Sequence, residues 1–142
     1  EREGDYLFDV EANPEFVYPP PADDAGFTYA PVQYDHDEGN AVSGGFVYKN
    51  DQIPSLKGNY LFGDIARGTL FLTPLVEIEN GKQASIQKIG LELNGEKTSF
   101  ISIRPNERVD LRFGQDSGGE LYLFTKSNGK VYRVIDFREP EN

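Results

Sequence analysis

The sequence predicts an all-β fold of antiparallel four-stranded sheets of the blade type, about two of them. Three observations carry this reading. Asn59 to Leu75, NYLFGDIARGTLFLTPL, writes a tight β-hairpin: two aromatic-rich apolar runs flank a short polar connection ending in Arg67-Gly68, and glycine accepts the positive φ that such a turn demands. The pattern returns 61 residues later. There Glu120 to Ile135, ELYLFTKSNGKVYRVI, sets Gly129 on Gly68 and apolar on apolar at Tyr60/Leu121, Leu61/Tyr122, Phe62/Leu123, Leu70/Val131 and Phe71/Tyr132. A hairpin recurring at such a period marks a repeat in which each small sheet leaves one face unburied until a neighbour stacks on it. Finally, from Ala41 onward the alternation and turn dipeptides leave no segment that reads as a helix.

Taken in order, residues 1–40 read as an acidic, proline-rich lead-in loop packed on the sheets. They carry eleven Asp/Glu against the single Arg2, which is the whole net charge of −10, while residues 41–142 carry thirteen of each sign. Pro14, Pro19, Pro20, Pro21 and Pro31 are five of the nine prolines, and three in succession fit neither a central strand nor a helix interior, because each lacks a donor N–H and has φ fixed. Yet Tyr6, Phe8, Phe16, Tyr18, Phe27, Tyr29 and Tyr34 punctuate the segment, so it is expected to drape over a sheet with its rings docked. Asp23-Asp24-Ala25-Gly26 reads as a turn within it.

A first blade is expected over 41–96. Val42 to Tyr48, VSGGFVY, is its inner strand, with a glycine pair suited to close backbone approach. The hairpin at 59–75 follows, and Ile86 to Leu93 supplies a fourth strand, with Ile89, Leu91 and Leu93 at period two between the turn dipeptides Asn80-Gly81 and Asn94-Gly95. A second, incomplete blade is expected over 97–142. Phe100 to Ile103 is a short connecting strand, Val109 to Phe113 opens the set, and the repeated hairpin with its Asn128-Gly129 turn closes it at three strands. Val42, Phe46, Tyr60, Phe62, Leu121 and Leu123 are expected on faces that neighbouring blades cover in a full propeller and that two blades alone leave open to water, with an unpaired edge beside Lys130 to Asp136.

Composition limits the chemistry. With 142 residues, 37% hydrophobic and 13% aromatic, the chain is long enough and apolar enough to bury a core. The absence of Cys excludes disulfides and thiolate metal sites, no run approaches the ~20 apolar residues of a membrane helix, and no cation cluster suits nucleic acid. The chain opens at Glu1 rather than Met and reads as a piece of something longer. Esterase, P-loop and zincin motifs are absent. The single histidine, His36, lies in the polar loop Tyr34-Asp35-His36-Asp37-Glu38-Gly39-Asn40, which makes it the candidate catalytic base, although no nucleophile sits near it in sequence. Asp35 and Asp37, with Gly39, form half of a calcium loop and are candidate metal ligands, but the bidentate Glu of the twelfth position is replaced by Phe46.

Four phrases in order, Pro31 to Tyr48 (PVQYDHDEGNAVSGGFVY), Ile53 to Asp64 (IPSLKGNYLFGD), Arg108 to Arg112 (RVDLR) and Gly119 to Lys126 (GELYLFTK), resemble the C-terminal part of the glucose/sorbosone dehydrogenase family. The resemblance covers roughly residues 31 to 137. It implies a portion of an exported six-bladed β-propeller, hence an extracytoplasmic location. It also implies a parent that oxidises a sugar with pyrroloquinoline quinone and calcium, the present chain alone being inactive. The family pattern is not fully kept. The Lys that contacts the quinone near the hairpin turn is here Ala66, and the Arg-x-Arg before the Asp matching Asp110 is here Glu107-Arg108-Val109. Arg67, Arg108 and Arg112 are left as the candidate cofactor-binding cations. The alternative is a non-catalytic propeller module binding carbohydrate or protein. Either way the expected partners are the remaining blades of a parent or copies of the chain.

Overall fold

The computed structural model describes residues 30–34, 37–79, 83–103 and 108–137, together with the strand backbones of 2–3, 6–9 and 13–18. The fold is mostly β and antiparallel, as expected. Strands β1 (Arg2–Glu3), β2 (Tyr6–Asp9) and β3 (Asn13–Tyr18) form one sheet. Strands β4 (Val42–Val47), β5 (Asn59–Asp64), β6 (Leu70–Pro74) and β7 (Gln87–Ile89) form a four-stranded sheet in sequence order. A two-stranded hairpin, β8 (Leu91–Leu93) with β9 (Glu96–Thr98), precedes a three-stranded sheet of β10 (Leu111–Gln115), β11 (Leu121–Thr125) and β12 (Val131–Arg133). The helices are short: a 3-10 turn at Pro54–Leu56, α1 (Leu75–Glu79) and α2 (Phe100–Ile103).

Alternation decides what each strand covers. On β5 and β6, Leu61, Leu70 and Leu72 point to one side and Phe62 and Phe71 to the other, and all five are buried. A strand covered on both faces reads as a continuous apolar run, which is what TLFL is. The leucine side meets the second sheet: one cluster joins Tyr48, Ile53, Leu56, Leu61 and Leu72 to Leu121, and another joins Leu70 to Phe100, Val109, Leu111 and Leu123. Each leucine so enclosed is stabilising by about 1.5–3 kcal/mol. The aromatic side stacks Tyr60, Phe62 and Phe71, with Tyr34 of the lead-in laid over Phe71 at a centroid distance of 5.1 Å. On β11 only one side is fully buried: Leu121, Leu123 and Thr125 are covered, while Tyr122 and Phe124 are half-exposed.

Glycine at 45 is sterically required. A β-bulge shifts the β4–β5 register between Ser43 and Phe46, and a Cβ on Gly45 would lie 1.5 Å from the Leu61 carbonyl oxygen.

Five expectations are corrected. Ile86 to Leu93 is not one strand, because β6 begins at Leu70, the partner of Ile89, and offers no backbone beyond it. The chain therefore breaks at Gly90, and Leu91–Leu93 pairs instead with Glu96–Thr98 around Asn94-Gly95, whose φ values of 54° and 86° are those of a two-residue primed turn. Phe100 to Ile103 is helical rather than extended, since the Ser99 hydroxyl accepts the Ser102 N–H at 3.1 Å and its carbonyl accepts the Ile103 N–H. Helix α1 likewise falls where the sequence predicts no helix. The lead-in is not wholly loop, because it contains β1–β3, with Pro14 tolerated on an edge strand where the register is irregular. Lastly, Phe62, Leu121 and Leu123 are not left open, being 2%, 0% and 3% exposed, whereas Val42 and Val131 are 60% and 66% exposed. Asp23 to Gly26, Pro19 to Pro21, Asn80-Gly81 and the rings of the lead-in other than Tyr34 lie outside the described residues.

The repeat holds at the turns. Gly68 and Gly129 have φ of 71° and 65°, and their N–H groups donate to the carbonyls of Asp64 and Thr125, residues that are themselves 61 apart. Their surroundings differ: a Cβ at 68 would lie 2.7 Å from the Phe100 Cβ and 2.8 Å from the Val109 Cγ1, whereas one at 129 would meet nothing within 4 Å. Gly129→Ala is therefore expected to cost about 1 kcal/mol through its backbone alone, and Gly68→Ala about 2–4 kcal/mol because overpacking is added. Urea melts of the two variants would test this, and equal losses would contradict it.

Candidate functional site

The turn that closes β5 and β6 is the meeting point of three segments, held by the carboxylate of Asp64. That side chain is fully buried. Its Oδ2 accepts the Asn40 N–H at 2.5 Å and the Ala41 N–H at 2.8 Å, and its Oδ1 accepts the Arg67 N–H at 2.5 Å. Burial by itself would raise the Asp64 pKa, but backbone donors from Ala41, Arg67, Asn40 and Ala66 outweigh it and hold the group below the ordinary carboxylate value. The second sheet attaches at the same turn: Leu111 N–H donates to Ile65 O at 3.0 Å and Val109 N–H to Ala66 O at 2.9 Å. Gly39 closes against this knot, where a Cβ would come within 2.6 Å of the Tyr34 ring and 2.8 Å of the Asp64 carboxylate.

Two openings flank the knot. A cleft of about 330 Å³ is lined by Asp37 and Glu38 on the loop together with Arg67, Thr69, Phe71, Ile86 and Lys88. The Arg67 guanidinium donates to the Asp37 carbonyl at 3.0 Å. An open apolar groove of about 410 Å³ lies on the aromatic face, lined by Pro31, Tyr34, Val42, Tyr60, Phe62 and Leu75. The Tyr34 hydroxyl is buried without a hydrogen-bond partner, and burial, then the negative charges of Asp64 and Glu38, push it up to about 12. Acidic and basic side chains together line one opening and apolar ones the other, a mixed surface of the kind that can meet another polypeptide.

Of the residues singled out by sequence, Asp37 and Arg67 come together at the cleft. Arg108 forms an exposed ion pair with Asp110 at 2.8 Å, and Arg112 donates to the neighbouring Leu111 carbonyl from β10, opposite Phe124. Asp35 and His36 lie outside the described residues. Among the described residues, no group of three His, Cys, Asp or Glu could hold a metal ion. Sequence reasoning passed over Asp64, although an aspartate at the start of a turn ending in glycine is the available signal.

No protein-family model matches the chain, and no solved structure does. The chain is similar to Hedgehog-interacting protein of Homo sapiens, 35% identical over 104 residues that make up 68% of this chain, and to Hedgehog-interacting protein of Mus musculus, 34% identical over the same length. The match spans only 14% of each relative's length. This overturns the glucose/sorbosone dehydrogenase resemblance, and with it the reading as an oxidoreductase that passes electrons from a sugar to pyrroloquinoline quinone. The residues that carried that resemblance have structural work: Gly45 admits a carbonyl, Asp64 ties a turn, Leu121 and Leu123 fill the core.

Asp64→Asn is expected to cost about 2–4 kcal/mol at neutral pH, because an amide nitrogen then faces backbone donors and charge-assisted bonds are lost. Since the folded pKa lies below the unfolded one, the contribution is complete above the ordinary carboxylate value of about 3.9 and is lost as pH falls through the lower folded value. The stability gap between wild type and variant, measured by urea melts, should be constant near neutrality and shrink in acid. A gap that grew in acid would contradict this role.

Proposed function

We propose that the chain is a non-catalytic module that binds a protein partner, built into a larger stack of like sheets of the β-propeller kind. The similarity to Hedgehog-interacting proteins carries the reading, and a Hedgehog protein is the first partner to test. The geometry supports it: the one fully buried carboxylate among the described residues is consumed in holding a turn, and the openings beside it are shallow, mixed-charge or apolar surfaces. An extracytoplasmic location fits a chain with no Cys or Met to oxidise. No helix of the described residues is long and apolar enough to cross a membrane.

The direction of stacking supports the architectural half. Under the 61-residue repeat, Leu61 and Gly63 of the first sheet correspond to Tyr122 and Phe124 of the second, yet the former face the second sheet and the latter face away from it. The sheets thus stack head to tail, each presenting the same side to the next. A head-to-tail contact leaves unlike faces open at the two ends. Here those ends are the groove beside Tyr60 and the side that carries half-exposed Tyr122 and Phe124 and exposed Val131.

Binding of purified Hedgehog protein to the immobilised chain, and to a longer protein containing it, tests the function; saturable binding is expected, and no binding by either would overturn it, while binding only by a carbohydrate array would move the module to a different ligand class. The stacking is read separately by light scattering after size exclusion. The isolated chain is expected to self-associate with rising concentration, and Phe124→Glu to reduce that association without unfolding the sheets. A wild-type monomer at every concentration would contradict it.

A further inference from the structure

Two of the chain's Asn-Gly pairs sit at the tips of described hairpins in opposite chemical states. In the β11–β12 turn, the Asn128 side chain is fully held: its Oδ1 accepts from the Thr125 hydroxyl at 2.8 Å and the Lys130 N–H at 2.9 Å, and its Nδ2 donates to the Tyr132 hydroxyl at 3.0 Å. In the β8–β9 turn, Asn94 is exposed and its side chain makes no hydrogen bond among the described residues, and Gly95 has open space where a Cβ would be. That hairpin has three residue pairs and no third strand among the described residues, and such ribbons open locally at little free-energy cost.

We propose that Asn94-Gly95 is a site of spontaneous deamidation, a slow chemical switch built into the hairpin between the two sheets. On local opening, the Gly95 backbone nitrogen attacks the Asn94 Cγ. The new C–N bond closes a five-membered imide, the Cγ–Nδ2 bond breaks, and the amide nitrogen leaves as ammonia. Water then adds to one of the two imide carbonyls, giving aspartate or a β-linked isoaspartate, with no oxidant or cofactor needed. Either product adds a negative charge at the hairpin tip, within two residues of both Glu92 and Glu96, with Lys97 as the cross-strand partner of Glu92. The β-linked product also lengthens the backbone by one carbon inside a two-residue turn, which the pairing of Leu93 with Glu96 cannot absorb. Leu91 remains packed against the second core cluster, so the modification loosens the hairpin tip and leaves the sheets standing.

The folded chain is incubated at mildly alkaline pH and mapped by peptide mass spectrometry, with isoaspartate detected by enzymatic methylation. Conversion at Asn94 is expected to run several-fold faster than at Asn128, with isoaspartate among the products. The same mapping in concentrated urea is expected to bring the two rates together, because the difference belongs to the fold. Equal rates in the folded chain would overturn the proposal, as would a difference that persists unchanged in urea. Asn80-Gly81 yields a separate peptide and does not enter the comparison.

Discussion

Everything in the two principal sheets is referred to one buried carboxylate. Asp64 draws backbone donors from its own turn and from Asn40 and Ala41, and the turn it shapes offers its carbonyls at 65 and 66 to the strand that opens the second sheet. Charge-assisted bonds of this kind are worth about 1.5–3 kcal/mol each. Their larger effect is geometric, since the hairpin, the entering chain and the next sheet are fixed to the same few atoms. Without them a buried negative charge would be costly; with them it remains ionised.

The stacking follows from that fixed corner. Once β10 is hung on the Ile65–Ala66 carbonyls, the leucine side of β5 and β6 faces Leu111, Leu121 and Leu123. The opposite end is pinned less strongly, by the Asn50 amide donating to the Gly118 carbonyl at 2.7 Å. The corresponding turn of the second sheet has Thr125 where the first has Asp64, and its hydroxyl bonds only locally, to Asn128 and Ser127. The two hairpins share a backbone and differ in what they hold.

The family resemblance was carried by phrases that serve the packing. Motif phrases rich in glycine, aspartate and paired aromatics are the ones a closely stacked antiparallel sheet needs, whatever its surface does. Function is read from the parts that such phrases omit, and here the described surface beside the knot offers acidic and basic side chains and an apolar groove.

What the sequence determined by itself was local. Alternation within VYR and LYLFT, the glycines at 68 and 129 and the Asn94-Gly95 turn act through the nearest neighbours, so the hairpins, their 61-residue repeat and the all-β class were legible in it. Tertiary structure decided the rest, because it turned on partners distant in the chain. The strand over Ile86 to Leu93 broke where β6 ran out of backbone, Phe100 rolled into a helix to fill the second cluster, and Tyr34 lay on the aromatic face while Leu121 lay under the other. Asp64 shows the divide most plainly: its place at a turn is written in NYLFGD, but its donors at 40 and 41 lie more than twenty residues away, and only packing brings them within hydrogen-bond reach.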